Sequence, residues 1–282
     1  MKLRRTRLYI PGNNPHLVEN AGLYGADAVI LDLEDSVPIT QKFDARILVK
    51  YSLQNVDFGK SEKWVRINGI DTPYWKKDLE EILPYCDVIN LPKVESLEDV
   101  NAADQEMSLI EDDNGLEPRK LVPIIETVRG LKNARDIATH PRVVALAWGG
   151  EDLTADLGIP RKKALILDYV RAEIVLAAKA EKKQALDTVF SNVKDTEGLF
   201  NYAQRARYMG FDGIGVIHPN QIEVVHRAFK PTDEEIEEAR RIIEAAKEAE
   251  REGKAVISLN GRMIDPPVVE RARKILALAE VD

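Results

Sequence analysis

The chain is poor in the residues that build several common kinds of functional site. A single cysteine, Cys86, excludes an internal disulfide and a cysteine-rich metal site, and suits a reducing compartment. The four histidines, His16, His140, His218 and His226, show no His-x-x-x-His spacing, which argues against a zinc centre. The first candidate strand runs into YIPGNNP, with one glycine where a dinucleotide-binding sheet would carry a glycine-rich fingerprint. No stretch reaches the roughly 18 uncharged apolar residues of a membrane span, and the basic start MKLRRTRLYIPG lacks the apolar core of a secretory leader. A soluble, cytoplasmic protein is the expectation. Low-complexity tracts and composition breaks typical of linkers are absent as well.

Charge excludes further classes. Forty basic against 48 acidic residues give a formal net charge of −8, which favours solubility and disfavours non-specific binding to nucleic acid. Arg4, Arg5 and Arg7 form a local basic cluster. It reads either as a solvated chain terminus or as part of a site near a phosphorylated ligand.

What is present is an alternation of short β-branched runs with longer segments of helical period, the pattern of βαβ units around a parallel sheet. Strands are expected at 7–10, 28–33, 63–67, 88–91, 121–125, 143–148, 184–187 and 213–217. Helices are expected at 13–24, 75–83, 95–111, 128–139, 162–182 and 196–209, with a turn-prone stretch at 149–161. Eight strands are the number that closes a (β/α)8 TIM barrel, and at 282 residues the chain has the length for one. Such a length buries roughly three quarters of the unfolded surface without staples.

The barrel is assigned to 1–230, followed by a C-terminal helical extension over 231–282. There Thr232 and Glu235 form a capping box, and Ile236, Ala239, Ile243 and Ala246 make an apolar stripe under a charged, solvated face. Gly253 ends that helix, Ala255 to Leu259 pair briefly, and Pro266-Pro267 opens a last helix. Three placements fit the tail: packed on the barrel, closing as a lid over the site, or crossing to a neighbouring subunit.

Barrels carry their chemistry on the loops that follow the strands. The polar residues there are Asp32, Glu34 and Asp35 after strand two, Arg66 and Asn68 at strand three, Glu126 after strand five, Glu151 and Asp152 after strand six, and His218 after strand eight. Several carboxylates in one cavity repel unless protonated or neutralised by a cation. Magnesium, which takes oxygen ligands from one or two carboxylates plus water and substrate, fits; Glu126 and Asp152 follow adjacent strands and can supply both. Glu34 and Asp35 suit orientation of water or arginine rather than direct ligation. Each has a structural alternative: Glu126 facing a helix dipole, Asp152 capping the turn after Gly149-Gly150, Arg66 pairing with Glu34 or Asp35, His218 bonding backbone in its HPNQ turn. An arginine beside a cation matches a carboxylate next to a carbonyl or hydroxyl, the pattern of carbon–carbon bond chemistry beside a carbonyl; phosphoryl transfer and hydration use the same parts.

The strings RTRLYIPGNNP, GADAVILDLEDSV, VRIN, VPIIET, WGGEDLTADLG, GVIHPNQI and MIDPPVVERA, in this order, resemble the citrate lyase β-subunit-like branch of the HpcH/HpaI aldolase superfamily, which includes malyl-CoA and citramalyl-CoA lyases. The resemblance spans nearly the whole chain, and departures are small: Thr6 stands for a usual serine, and 190–195 for a more aromatic segment. It implies a magnesium-dependent lyase, with manganese as a substitute, that cleaves a malyl-CoA- or citramalyl-CoA-like thioester reversibly into acetyl-CoA and a 2-oxoacid. It further implies Arg66 as the substrate-binding arginine, Glu126 and Asp152 as metal ligands, and Glu34 and Asp35 as support for the metal-bound water network. Asp265, by composition a helix cap before Pro266, resembles an aspartate that reaches a neighbouring subunit's site to move the acetyl proton, within a homotrimer or homohexamer. Two enzymatic alternatives accompany this reading: a citryl thioester lyase subunit working with an acyl-carrier partner, and a metal-dependent aldolase on free hydroxy-oxoacids. A non-catalytic barrel that binds or scaffolds is the alternative of another class.

Overall fold

Eight short parallel strands close on themselves in the computed structural model, which describes residues 2–251, 257–259 and 262–279. They are β1 (Thr6–Pro11), β2 (Ala28–Asp32), β3 (Glu62–Arg66), β4 (Val88–Leu91), β5 (Lys120–Ile125), β6 (Ala145–Trp148), β7 (Gln184–Asp187) and β8 (Gly213–Val216), each hydrogen-bonded to the next, with β1 pairing β8. The expected TIM barrel is therefore the fold. Its interior is filled by alternate side chains of the strands, among them Ala28, Ile30, Trp64, Val88, Val122, Ile124, Ala147 and Leu186.

Among the described residues ten α-helices belong to the barrel unit, Met1–Ala228, or begin within it. They are α1 (Pro15–Glu19), α2 (Lys42–Asn55), α3 (Trp75–Ile82), α4 (Leu97–Asn114), α5 (Val128–Lys132), α6 (Ala134–Thr139), α7 (Gly150–Asp156), α8 (Leu167–Ala180), α9 (Thr196–Met209) and α10 (Asn220–Phe229). Three of them, α2, α7 and α10, have no counterpart in the expected pattern. In α2 the reason is chemical: its buried face carries Lys42, Arg46 and Ser52 beside Ala45, Val49 and Leu53, so it does not read as an apolar stripe. Lys42 donates to the carbonyls of Leu33 and Glu34, and Arg46 pairs with Asp78 at 2.7 Å. The helix expected at 128–139 breaks at Asn133, whose side-chain amide donates to the Glu95 carbonyl at 2.8 Å. The helix expected from residue 162 starts at Leu167, after exposed Leu165 and Ile166.

The basic cluster at the start of β1 overturns the first of its two expectations. Arg4 and Arg7 are buried, so the segment is no solvated terminus. Arg4 pairs with the fully buried Glu62 at 2.7 Å and donates to Gln184, while Arg5 pairs with Asp27. Both Arg4 and Arg5 precede the parallel strands, at the end of the barrel opposite the strand C-termini; Arg7 alone points on into the interior.

Strand register prepares the site. Pro11 lies beside Asp32, and Asp32 beside Arg66, at the C-terminal ends of β1, β2 and β3. Ile125 lies beside Trp148, so the chain leaving β5 at Glu126 runs next to the chain leaving β6 at Gly149. The Gly149 N–H donates to the Ile125 carbonyl at 3.0 Å.

The second unit, Phe229–Asp282, contains α11 (Asp233–Arg251), β9 (Ile257–Leu259), β10 (Arg262–Ile264) and α12 (Pro266–Ala279). The Thr232–Glu235 capping box is present, with hydrogen bonds of 2.8 and 3.1 Å. The strands β9 and β10 pair antiparallel, and Ala239, Ile242, Ile264 and Ala272 form the core of the unit. Gly253 and Ala255 lie outside the described residues.

Candidate active site

Asp32 ends β2 with its carboxylate fully used. Its oxygens accept the N–H groups of Glu34 and Ser36, at 3.0 and 3.1 Å, which folds the loop that follows. The same oxygens accept from Arg66 Nε and Nη2 at 2.6 and 2.7 Å, a two-point fork. Burial alone would raise the Asp32 carboxyl, but the Arg66 guanidinium outweighs it and holds it below the usual range. Arg66, although desolvated, is pushed well above its usual range by Asp32 and Glu34. Its guanidinium also lies over the Tyr9 ring, 5.4 Å from the centroid, and reaches Glu34 at 2.9 Å and Asp35 at 3.4 Å. Arg66 thus meets both acidic residues expected as partners, while Asp32, its main partner, stands two residues before Glu34, at the end of β2.

Glu126 leaves β5 into a buried position, 3% exposed. Its Oε1 accepts the Lys93 backbone N–H at 2.7 Å, and Lys93 Nζ lies 3.1 Å from Glu34 Oε1. Lys93 takes φ 53°, a left-handed conformation that costs energy for a side chain with a Cβ; here it turns the N–H onto one carboxylate and the amine towards another. Burial, then repulsion from Glu34 and Asp152, pushes the Glu126 carboxyl up to about 8. Glu34 is raised too, by burial first and then by Asp35, against the pull of Arg66. The backbone of β6 stays clear of Glu126 because residue 149 is glycine: a Cβ there would stand 2.4 Å from Glu126 Oε2.

Asp152 lies exposed in the first turn of α7, and Glu151 beside it pairs with Arg161 at 2.9 Å. A cavity of about 460 Å³ is lined by Glu126, Asp152, Arg66, Asp32, Asp35 and Arg7 among others. A neighbouring cavity of about 530 Å³ shares Glu126 and Asp152 and adds Lys93. The two carboxylates expected to hold a metal therefore share walls with the arginine expected to hold substrate.

These donors fit a hard divalent ion. Glu126 is disfavoured as an anion by burial and then by the other carboxylates, Asp152 faces the same space, and no cysteine or histidine lines the cavity among the described residues. Among the described residues no group of three or more His, Cys, Asp or Glu side chains that could hold a metal ion is found.

His218 takes its backbone role, with Nδ1 accepting the Asn220 N–H at 3.1 Å. Cys86 is buried with its thiol pushed up to about 12, mainly by desolvation, which removes it as a nucleophile. Asp265 lies in the second unit, where its Oδ1 accepts the Val268 N–H at 3.2 Å as the cap of α12. Lys93 was missed by sequence reasoning; the signal for it was a lysine two residues after the end of β4, in LPKVE. Asp187 was missed as well. It ends β7, binds the buried Arg171 at 2.6 Å and accepts from Trp148 Nε1 at 2.7 Å, fixing one wall of the cavity.

Residues 5–219 match the sequence pattern of the HpcH/HpaI aldolase/citrate lyase family. The chain belongs to this family. As an HpcH/HpaI-family member it is similar over its whole length to a citrate lyase subunit beta from Leuconostoc mesenteroides subsp. cremoris, at 41% identity and 95% coverage of that protein. Mitochondrial citramalyl-CoA lyase of Mus musculus is 37% identical, over 98% of this chain and 86% of that protein. Among solved structures, protein CitE from Mycobacterium tuberculosis, in complex with magnesium, acetoacetate and coenzyme A, superposes with a TM-score of 0.79. That match has 33% identity and covers 98% of both chains. In this HpcH/HpaI-family chain no helix among the described residues is long and apolar enough to cross a membrane.

Proposed function

We propose that the protein is a magnesium-dependent carbon–carbon lyase that cleaves a malyl-CoA- or citramalyl-CoA-like 3-hydroxyacyl thioester into acetyl-CoA and a 2-oxoacid. The observation that carries this reading is the single cavity in which Glu126 and Asp152, a carboxylate pair in need of a cation, meet a rigidly held Arg66. Glu126 and Asp152 are assigned to hold magnesium, or manganese as a substitute. The ion would polarise the oxygens of the oxoacid half and stabilise negative charge developing there.

Arg66 contributes orientation. Its fork is fixed by Asp32, which leaves Nη1 to meet a substrate carboxylate or carbonyl oxygen in competition with Glu34 and Asp35. Glu34 and Asp35 are assigned to hold that guanidinium and nearby water. In cleavage the substrate hydroxyl passes its proton to the water held by Glu34 and Asp35, the carbon–carbon bond breaks, and its electron pair passes to the acetyl thioester as an enolate. Asp265 is assigned as the acid that protonates the enolate carbon, delivered by a neighbouring copy in a homotrimer or homohexamer; in the reverse direction it removes the same proton.

The likeness to citrate lyase beta subunits favours a second reading, the same bond cleavage on a citryl thioester carried by an acyl-carrier partner. A panel of malyl-, citramalyl- and citryl-CoA, with and without magnesium and with the released oxoacid identified, tests both. Magnesium-dependent release by the isolated chain supports the first reading. Activity that appears only with an acyl-carrier thioester supports the second, and cleavage of free hydroxy-oxoacids alone overturns both.

A further inference from the structure

Four arginines of the described chain are buried, and three of them meet a carboxylate: Arg4 with Glu62 at 2.7 Å, Arg46 with Asp78 at 2.7 Å, and Arg171 with Asp187 at 2.6 Å. Arg7 is the exception. It is 1% exposed, and its Nη2 donates to the Asp187 backbone carbonyl at 2.6 Å, while Nε and Nη1 have no hydrogen-bond partner. The Asp187 carboxylate is taken up by Arg171, Trp148 and the Thr188 N–H, so Arg7 gains no ionic hydrogen bond from it.

A buried cation with idle donors is costly unless something supplies an anion. Arg7 lies in β1 two residues before Tyr9, on the same inward face, and in register with Ala28 and Gly215. Its guanidinium reaches the last residue of β7 and lines the same cavity as Glu126, Asp152 and Arg66. Besides Arg66, held by Asp32, and Arg161, held by Glu151, the cavity therefore has a cationic group that is hydrogen-bonded to no carboxylate.

We propose that Arg7 is the receptor for a second carboxylate, carried by the substituent on the hydroxyl-bearing carbon of the substrate. This rests on the carbon–carbon lyase reading and, within it, favours a citryl thioester over the malyl-CoA- or citramalyl-CoA-like one. Arg66 and the cation site read the oxygens shared by all candidate substrates, whereas Arg7 distinguishes the substituent. A hydrogen or methyl group leaves its donors idle; a carboxymethyl group satisfies them with charge-assisted hydrogen bonds. The favoured thioester is thus one whose oxoacid product is a dicarboxylate, as in citryl-CoA.

The test compares ratios, so that a general loss of activity does not imitate the effect. In the wild-type protein kcat/KM for citryl-CoA is expected to exceed that for citramalyl-CoA by at least about tenfold, and magnesium-dependent affinity for oxaloacetate to exceed that for pyruvate similarly. Arg7→Met should collapse both ratios by about ten- to a hundredfold, and Arg7→Lys, which keeps the charge without the fork, by less. Thermal melting of both variants controls for folding; removing an unpaired buried cation is expected not to lower the Tm. If the wild-type protein cleaves no thioester, the lyase reading fails and the binding ratio alone judges Arg7. Equal oxaloacetate and pyruvate affinities in the wild-type protein, or ratios unchanged in Arg7→Met, would overturn the proposal.

Discussion

Arg66 grips Asp32 through two hydrogen bonds, 2.6 Å from Nε and 2.7 Å from Nη2, while Asp32 also accepts the N–H groups of Glu34 and Ser36. One carboxylate thus sets both the arginine and the loop that faces it. Asp32→Asn keeps the shape but supplies a donor where Arg66 needs an acceptor. The expected result is a loss of roughly ten- to a hundredfold in kcat/KM for the thioester substrate, with magnesium affinity nearly unchanged. Steady-state kinetics beside a magnesium titration checks this; an equal loss of both would mean that Asp32 acts on the cation site instead.

Gly149 adopts an ordinary extended conformation, φ −107°, so its need for glycine is steric. A methyl group there would stand 2.4 Å from Glu126 Oε2. Gly149→Ala should therefore displace Glu126 and weaken magnesium binding by about tenfold or more, while the circular dichroism spectrum stays that of the wild type. Wild-type magnesium affinity in this variant would show that Glu126 can move without consequence.

At the other end of the barrel Glu62 is fully buried against Arg4, with the Trp64 indole donating to it at 2.8 Å. Burial raises the Glu62 carboxyl, but Arg4 and Trp64 outweigh it and hold it below its usual value of 4.5. Because its pKa is depressed in the folded state, its contribution is present above the unfolded value and is lost as pH falls through the folded one. Glu62→Gln should lower stability at neutral pH by about 3–5 kcal/mol, the scale for breaking a buried pair. The gap between the two melting temperatures should narrow on acidification below about pH 4.5. A gap that widens in acid would contradict this assignment.

Asp265→Asn is expected to leave magnesium and 2-oxoacid affinity in place while slowing exchange of the acetyl-CoA methyl protons with solvent and thioester cleavage together, by about a hundredfold. Mixing it with an Arg66→Ala variant should restore part of the activity if the aspartate serves a neighbouring copy's site. Proton exchange at the wild-type rate would return Asp265 to the cap of α12.

The barrel was legible because most of its strands are short apolar runs with β-branched residues, closed by a turn, and such runs do not depend on distant partners; β6 (ALAW) and β7 (QALD) carry no β-branched residue. Helices α2 and α7 were not, because what stabilises them is nonlocal. Lys42 and Arg46 are buried only because the Leu33 and Glu34 carbonyls and Asp78 receive them. In α7 a Gly-Gly start reads as a turn until Thr188 is brought up to accept the Gly150 N–H at 3.1 Å. The site was legible where the chemistry sits at strand ends, as with Arg66, Glu126 and Asp152. It was obscure at Lys93, whose part depends on a φ of 53°, and at Arg7, which reads as one more charge in a basic terminus until the strands close around it.

The most direct measurement is a calorimetric titration of magnesium in the presence of oxalate, an analogue of the 2-oxoacid, with the wild-type protein, Glu126→Gln and Asp152→Asn. The wild-type protein should bind oxalate only with magnesium, and both variants should lose at least about tenfold in magnesium affinity together with that dependence. Oxalate binding that needs no magnesium, or either variant binding like the wild type, would contradict the assignment of Glu126 and Asp152 as the pair that holds the cation.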